Sequence, residues 1–266
     1  MFGIVEPNTP KSLIAMCHLQ PLPGDPLYNK AAGMAEVIKK ASDDIEILQR
    51  ENIHGILFSN EFSYPYTQKL SQVTVASMAR IIGELKHKIK VPFGVDCMYD
   101  GISTIDLALA TDADFCRITL VPAPISAYEL GTSEIGAILR HAMTSKLDRK
   151  KIILNIDPSA KLAIKEGAIK QLIKIVTTQA RPDALCISSE SIDKLCQNGI
   201  CLHTDITEMP ALICDGGCNI DNIRRIKNVT DGVIVGTALK ENHDITKPIS
   251  QKNIREFIVA FTAVDQ

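Results

Sequence analysis

The feature that most restricts what this chain can become is a series of eight short apolar runs, each followed by a stretch of helical periodicity. The runs are Leu13–Met16, Gly55–Phe58, Phe93–Val95, Phe115–Ile118, Ile152–Ile156, Ala184–Ile187, Ala211–Ile213 and Gly232–Val235. None alternates polar with apolar residues, as strands covered on both faces require. The helical patterns between them are Met34–Arg50, Val73–Lys88, Thr104–Thr111, Ile135–Lys146, Gly167–Thr178, Ile220–Lys227 and Asn253–Val264. In the first of these, Val37, Ala41, Ile45 and Leu48 fall on one face. Eight strand–helix units with right-handed crossovers close into a (β/α)8 barrel, the TIM barrel of the α/β class. An open doubly wound sheet is the alternative, but no G-x-G-x-x-G follows the first run. No composition shift marks a boundary, so residues 1–266 are read as one barrel domain.

A weak internal repeat agrees with that count. The even strands open on a polar residue before the apolar run: His54-Gly55-Ile56, Asp114-Phe115-Cys116, Asp183-Ala184-Leu185 and Asp231-Gly232-Val233. Two odd strands start through proline instead, at Val91-Pro92 and Met209-Pro210. The sixth unit is irregular. Between Ser188 and Pro210 there is only a short helical candidate, Ser191–Gln197, so a loop, a lid or an extra β-pair is expected between the sixth and seventh strands.

Charge and composition exclude several functions. A formal net charge of −2 gives no field for nucleic acid or an anionic membrane surface. The absence of tryptophan and an aromatic content of 5% argue against stacking on exposed bases. No apolar stretch approaches a membrane span, and the N-terminus lacks the apolar core of a signal peptide. Eight scattered cysteines do not make a disulfide scaffold. The chain therefore reads as soluble, reduced and cytoplasmic. Cys196, Cys201, Cys214 and Cys218 are not spaced as paired zinc knuckles, and no metal or cofactor is assigned. G-x-S-x-G, Walker A and H-E-x-x-H motifs are also missing.

In a barrel the chemistry lies where strands end and the following loops begin. The seventh strand ends in Asp215-Gly216-Gly217 and the eighth in Gly236-Thr237, with Lys240 beyond. Glycine turns leave backbone N–H groups uncovered, and a pair of them after the last two strands forms a phosphate site. Read without that context they are tight turns. Lys240 is the candidate counter-charge. On the other strand ends, His18 is a candidate acid–base group or metal ligand, and Asp96 and Asp157 are candidate carboxylate partners. Arg117 lies inside an apolar run, where an anionic ligand or a carboxylate must meet it. Glu61, Asp96 and a phosphate are the candidate partners. A divalent ion between Glu61, Asp96 and His18 is the remaining arrangement, without support of its own.

Ile14-Ala15-Met16-Cys17-His18-Leu19-Gln20-Pro21-Leu22-Pro23-Gly24 is similar to the amino-terminal signature of the BtpA/SgcQ family. The resemblance continues through Thr74–Arg80, Val91–Val95, Ala113–Arg117 and Asp231–Lys240, and so covers nearly the whole chain. It implies a barrel of the phosphate-binding kind, with His18, Arg117, Gly216, Gly217, Gly236, Thr237 and Lys240 at matching positions. It also implies links to photosystem I biogenesis in cyanobacteria and to carbohydrate uptake in a bacterial member. Relatives tend to carry a histidine after the fifth strand and a glycine-rich loop after the sixth. Here those positions read Asn155-Ile156-Asp157-Pro158-Ser159 and Ser188-Ser189-Glu190-Ser191, and Asp96 stands where asparagine is common. Two functions are thus expected. The first is binding of, and action on, a small phosphorylated ligand such as a sugar or nucleoside phosphate. The alternative is a non-catalytic assembly, biogenesis or regulatory factor on the same scaffold. A homo-oligomer is expected in either case.

Overall fold

A computed structural model describes residues 11–120, 123–124, 130–131, 134–147, 152–156, 166–182, 184–188, 190–193 and 210–263. Its strands are β1 (Ser12–His18), β2 (Gly55–Ser59), β3 (Phe93–Asp96), β4 (Phe115–Leu120), β5 (Ala123–Pro124), β6 (Leu130–Gly131), β7 (Ile152–Ile156), β8 (Ala184–Ser188), β9 (Ala211–Asp215) and β10 (Gly232–Val235). All except β5 and β6 pair in parallel and close on themselves in the order β1-β2-β3-β4-β7-β8-β9-β10. The helices are α1 (Gly33–Arg50), α2 (Gln72–Leu85), α3 (Gly101–Thr111), α4 (Ile135–Thr144), α5 (Glu166–Ala180), α6 (Ile223–Lys227) and α7 (Gln251–Thr262). Every apolar run of the sequence is a barrel strand. The fold is the expected (β/α)8 barrel.

Alternate residues along each strand feed two separate cores. Ile14 and Met16 of β1 point inward and meet Leu57, Phe115, Ile153, Ile213 and Ile234 inside the cylinder. Leu13, Ala15 and Cys17 of the same strand point outward, onto Val37, Ala41, Ile45 and Leu48 of α1 and the rest of the helix layer. Each such aliphatic chain, once buried, contributes about 1.5–3 kcal/mol. Phe115 plugs the cylinder because Gly94 beside it is bare: a Cβ there would sit 2.3 Å from the ring. The inner plug fills the lower barrel and leaves its carboxyl-terminal end to polar side chains.

The polar residues that open the even strands have a definite task. His54 donates its N–H to the carbonyl of Leu13 (3.0 Å) and accepts the N–H of Leu13 on Nδ1 (2.9 Å). Asp114 does the same to Phe93, and Asp231 to Leu212, through backbone bonds of 2.9 and 2.7 Å and carboxylate bonds of 2.9 and 2.8 Å. Each clamp satisfies a backbone donor at the strand's start, where the ladder gives it no partner. These clamps lie on the stability face of the barrel, opposite the mouth. Asp183 lies outside the described residues.

One extra β-pair is described, at a place the sequence did not single out. This antiparallel pair, β5 with β6, follows β4, and the loop, lid or β-pair expected between the sixth and seventh strands is not tested by it. Residues 194–209 of the expected segment lie outside the described residues. Among the described residues no helix is long and apolar enough to cross a membrane.

Candidate functional site

A cavity of about 600 Å³ opens at the carboxyl ends of the strands. Its walls come from Met16 and His18 of β1, Glu61 after β2, Arg117 and Thr119 of β4, Asn155 of β7, and the turns after β9 and β10. Those two turns are neighbours, because β9 and β10 pair with Ile234 opposite Asp215. Gly216 and Gly217 hold φ values of +69° and +66°, which an L side chain adopts only with strain. Asn222 braces this turn by donating Nδ2 to the Gly217 carbonyl at 2.9 Å. Gly236 is small for a different reason. A Cβ on it would lie 2.6 Å from Cε1 and 3.0 Å from Nε2 of His18, which packs beneath the turn. Among the described residues, no turn, loop or cap hydrogen bond is donated by the N–H of Gly217 or Thr237. Both residues face the cavity with exposed backbone.

Arg117 is the centre of the opposite wall. Its Nε donates to Asp96 Oδ2 at 2.8 Å, Nη2 reaches the same oxygen, and Nη1 pairs with Asp215. The arginine side chain is 5% exposed, that of Asp96 0% and that of Asp215 13%. Burial alone disfavours a charged guanidinium, but Asp215 and Asp96 more than offset it, so Arg117 is held firmly charged. Complete burial raises Asp96 above the usual carboxylate range, with Arg117 pulling it back and the Asp215 charge adding to the rise. The other oxygen of Asp96, Oδ1, is buried without a partner. Glu61 is also raised, chiefly by burial, with Arg117 lowering it and Asp96 raising it further. Tyr66 donates its hydroxyl to the Glu61 carbonyl at 2.7 Å and to Oε1 at 3.2 Å.

Strand register sets His18, Ser59 and Asp96 side by side on β1, β2 and β3. His18 is 7% exposed, and burial with the nearby Lys240 and Arg117 charges lowers it to about 3. It is therefore neutral at physiological pH. Its Nδ1, the Ser59 hydroxyl and Asn60 Nδ2 are buried without partners. On the far side of the mouth, Asn155 Nδ2 donates to Thr119 Oγ1 at 3.2 Å.

Six of the nine residues singled out in the sequence line this one cavity: His18, Arg117, Gly216, Gly217, Gly236 and Thr237. Asp96 lies behind Arg117 and does not reach the cavity wall. Lys240 is not at the mouth. Its side chain is 5% exposed and its ammonium faces Asp44 of α1 at 3.3 Å, so it ties β10 to the helix layer instead of meeting a ligand. Asp157 lies outside the described residues. Glu61, weighed in the sequence as a partner of Arg117 or a metal ligand, also lines the cavity, whereas Asp215, Thr119 and Asn155 were not selected. Their signal was present: Arg117 with Thr119, two apart at the end of one strand, share its inward face. Cys214 and Cys218 lie 3.4 Å apart, both buried, and Cys196 and Cys201 lie outside the described residues. Among the described residues no three His, Cys, Asp or Glu side chains are grouped to hold a metal ion.

Comparison with known proteins agrees with the fold. The profile of the BtpA family matches residues 9–263. The putative sgc region protein SgcQ of Escherichia coli (strain K12) is 33% identical over 252 residues, covering 94% of each chain. Among solved structures, the orotidine 5'-phosphate decarboxylase of Pyrococcus horikoshii OT3 superposes with a TM-score of 0.56 at 14% identity, over 94% of this chain and 100% of that one. The phosphoribosyl anthranilate isomerase of Thermococcus kodakaraensis gives a TM-score of 0.55 at 10% identity, over 95% and 99% of the two chains. At such identities the structural likeness is one of fold alone.

Proposed function

The chain belongs to the BtpA family, and from that premise we propose that it binds a small phosphorylated metabolite, such as a sugar or nucleoside phosphate, at the barrel mouth and moves a proton on it. The observation that carries the reading is the pair of glycine turns on adjacent strands, facing one cavity, with no hydrogen bond from the Gly217 or Thr237 amide to any of the described residues. Bare amides in a partly enclosed site favour an anion, and left-handed glycines let it approach the backbone closely. The names of the two solved neighbours, a 5'-phosphate decarboxylase and a phosphoribosyl isomerase, support a phosphate at this end of such a barrel.

Fixing the phosphate orients the rest of the molecule toward β2, β3 and β4, which is the proximity contribution to catalysis. A histidine lowered to about 3 is a poor base at neutral pH but an effective neutral hydrogen-bond donor. The raised carboxyl of Glu61 is better matched to carrying a proton. In this reading His18 therefore polarises an oxygen and Glu61 takes or gives the proton, with Asp96 holding Arg117 in place.

The test is a titration of inorganic phosphate and ribose 5-phosphate at constant ionic strength, followed by thermal unfolding. Ligand at a hundred times its Kd adds about 2.7 kcal/mol, a rise of about 5–10 °C in Tm for a chain of this size. The Gly217→Val variant, checked for folding by circular dichroism, should lose that rise. A Tm unmoved by either ligand, with unchanged behaviour in the variant, refutes the reading.

A further inference from the structure

The cavity has two electrostatic halves, and only the half at the β9 and β10 turns suits an anion. Away from those turns Glu61 lines the wall, and Arg117 is held between Asp96 behind it and Asp215 at the foot of the β9 turn, so three carboxylates stand against one guanidinium cation. That guanidinium is already committed. Nε and Nη2 go to Asp96, Nη1 goes to Asp215, and Met98 Sδ lies 3.7 Å from Nη2. Lys240 faces Asp44 of α1 and not the cavity. Among the described residues, then, this half presents no lysine and no arginine free for an acidic group.

What it presents is one acidic acceptor, Glu61, beside groups that both donate and accept. Glu61 lines the cavity, and Thr119 and Asn155 add a hydroxyl and an amide. An independent observation points the same way: His18 lines the cavity and its Nδ1, an acceptor when Nε2 carries the proton, is buried without a partner. Buried polar atoms left so cost about 1–3 kcal/mol each, and donor groups brought close by a ligand relieve that cost. A ligand carboxylate brings no donor. It would meet the Glu61 and Asp215 carboxylates at the cavity wall, where like-charge contacts are unfavourable.

Resting on the phosphate reading above, we propose that the substrate end remote from the phosphate is a hydrogen-bond donor, made of hydroxyl groups or a protonated amine, and that the cavity discriminates against phosphorylated acids. Glycerol 3-phosphate and 3-phosphoglycerate form the deciding pair, since they share a phosphate and a central hydroxyl and differ by CH2OH against carboxylate. Isothermal titration of each, with inorganic phosphate alongside, should give glycerol 3-phosphate an affinity about tenfold or more above that of 3-phosphoglycerate. In Glu61→Gln the preference should shrink by at least about threefold, because one of the repelling charges is gone while an acceptor remains. If inorganic phosphate binds but 3-phosphoglycerate binds as well as glycerol 3-phosphate, the inference is overturned and the phosphate reading stands. A full preference retained in Glu61→Gln overturns it too. If none of the three ligands binds, the phosphate reading itself is lost.

Discussion

Replacing Arg117 with methionine isolates the electrostatics on which the mouth is built. Methionine keeps most of the apolar stem and its packing, so the change is mainly one of charge. It leaves Asp96, 0% exposed, and Asp215, 13% exposed, without their shared cation. Breaking a buried pair by removing one partner costs about 3–5 kcal/mol. Asp215 borders the cavity and can be hydrated there, so most of that penalty falls on Asp96. Against a total stability of roughly 5–15 kcal/mol the loss is large, and for a chain of this size it corresponds to a fall of about 10 °C in Tm. The sign of the pH dependence follows from Asp96. Its folded-state value is already raised above the unfolded one by burial, and Arg117 is the influence that restrains it. A carboxyl raised on folding binds its proton more tightly in the native state, so its penalty is present above the folded value and is relieved as pH falls through it. Without Arg117 the folded value moves higher still. Calorimetric scans at pH 8, 7, 6 and 5 should therefore show a deficit relative to the unaltered protein that is greatest at pH 8 and narrows toward pH 5. Adding Asp96→Asn should recover more than half of the loss at pH 8. A Tm within about 2 °C of the parent at pH 8, or a deficit that does not change with pH, would refute the buried ion triad.

Two further substitutions separate wall from ligand site. Gly236→Ala puts a methyl group 2.6 Å from His18 Cε1, so the imidazole must move; we expect a stability loss of about 1–3 kcal/mol and weaker phosphate binding by titration, and unchanged binding would remove His18 and Gly236 from one site. Lys240→Met strands the Asp44 carboxylate, 15% exposed, and should lower stability by about 3 kcal/mol while leaving phosphate affinity within about twofold; a large loss of affinity would return Lys240 to the mouth.

The walls of this barrel were easier to read in the sequence than its mouth, for a physical reason. A strand buried on both faces must be apolar at every position, and that requirement is local. Ala184–Ile187 declares itself whatever its neighbours are. The polar openings at His54, Asp114 and Asp231 were legible as a repeat because each serves the same local task of satisfying one strand start. Helix ends were less legible where side chains compete with the backbone. The last short helix begins at Ile223 and not at Ile220, because Asn219 Oδ1 accepts the N–H groups of Asp221 and Asn222 at 2.9 and 3.1 Å and holds the chain in a turn.

The mouth depends on distances around the ring that no local pattern encodes. Asp96 and Asp215 stand 119 positions apart in the chain, and both reach Arg117 because the cylinder closes. Nearly every strand end offers an acidic residue, so the sequence could not say which two would meet the arginine. Lys240 shows the opposite failure. It follows the glycine turn closely, but the intervening helical turn, Thr237–Leu239, carries it round to the outer layer and onto Asp44. The consequence reaches function. With Arg117 held by two carboxylates and Lys240 facing α1, a phosphate bound as proposed would meet backbone amides instead of either side-chain cation. Amides of a turn keep their place without a counter-ion, whereas a free arginine beside them would also welcome a ligand carboxylate at the other end. On the proposed reading, committing both cations to the protein's own acids is what would let the mouth distinguish one end of a phosphorylated molecule from the other.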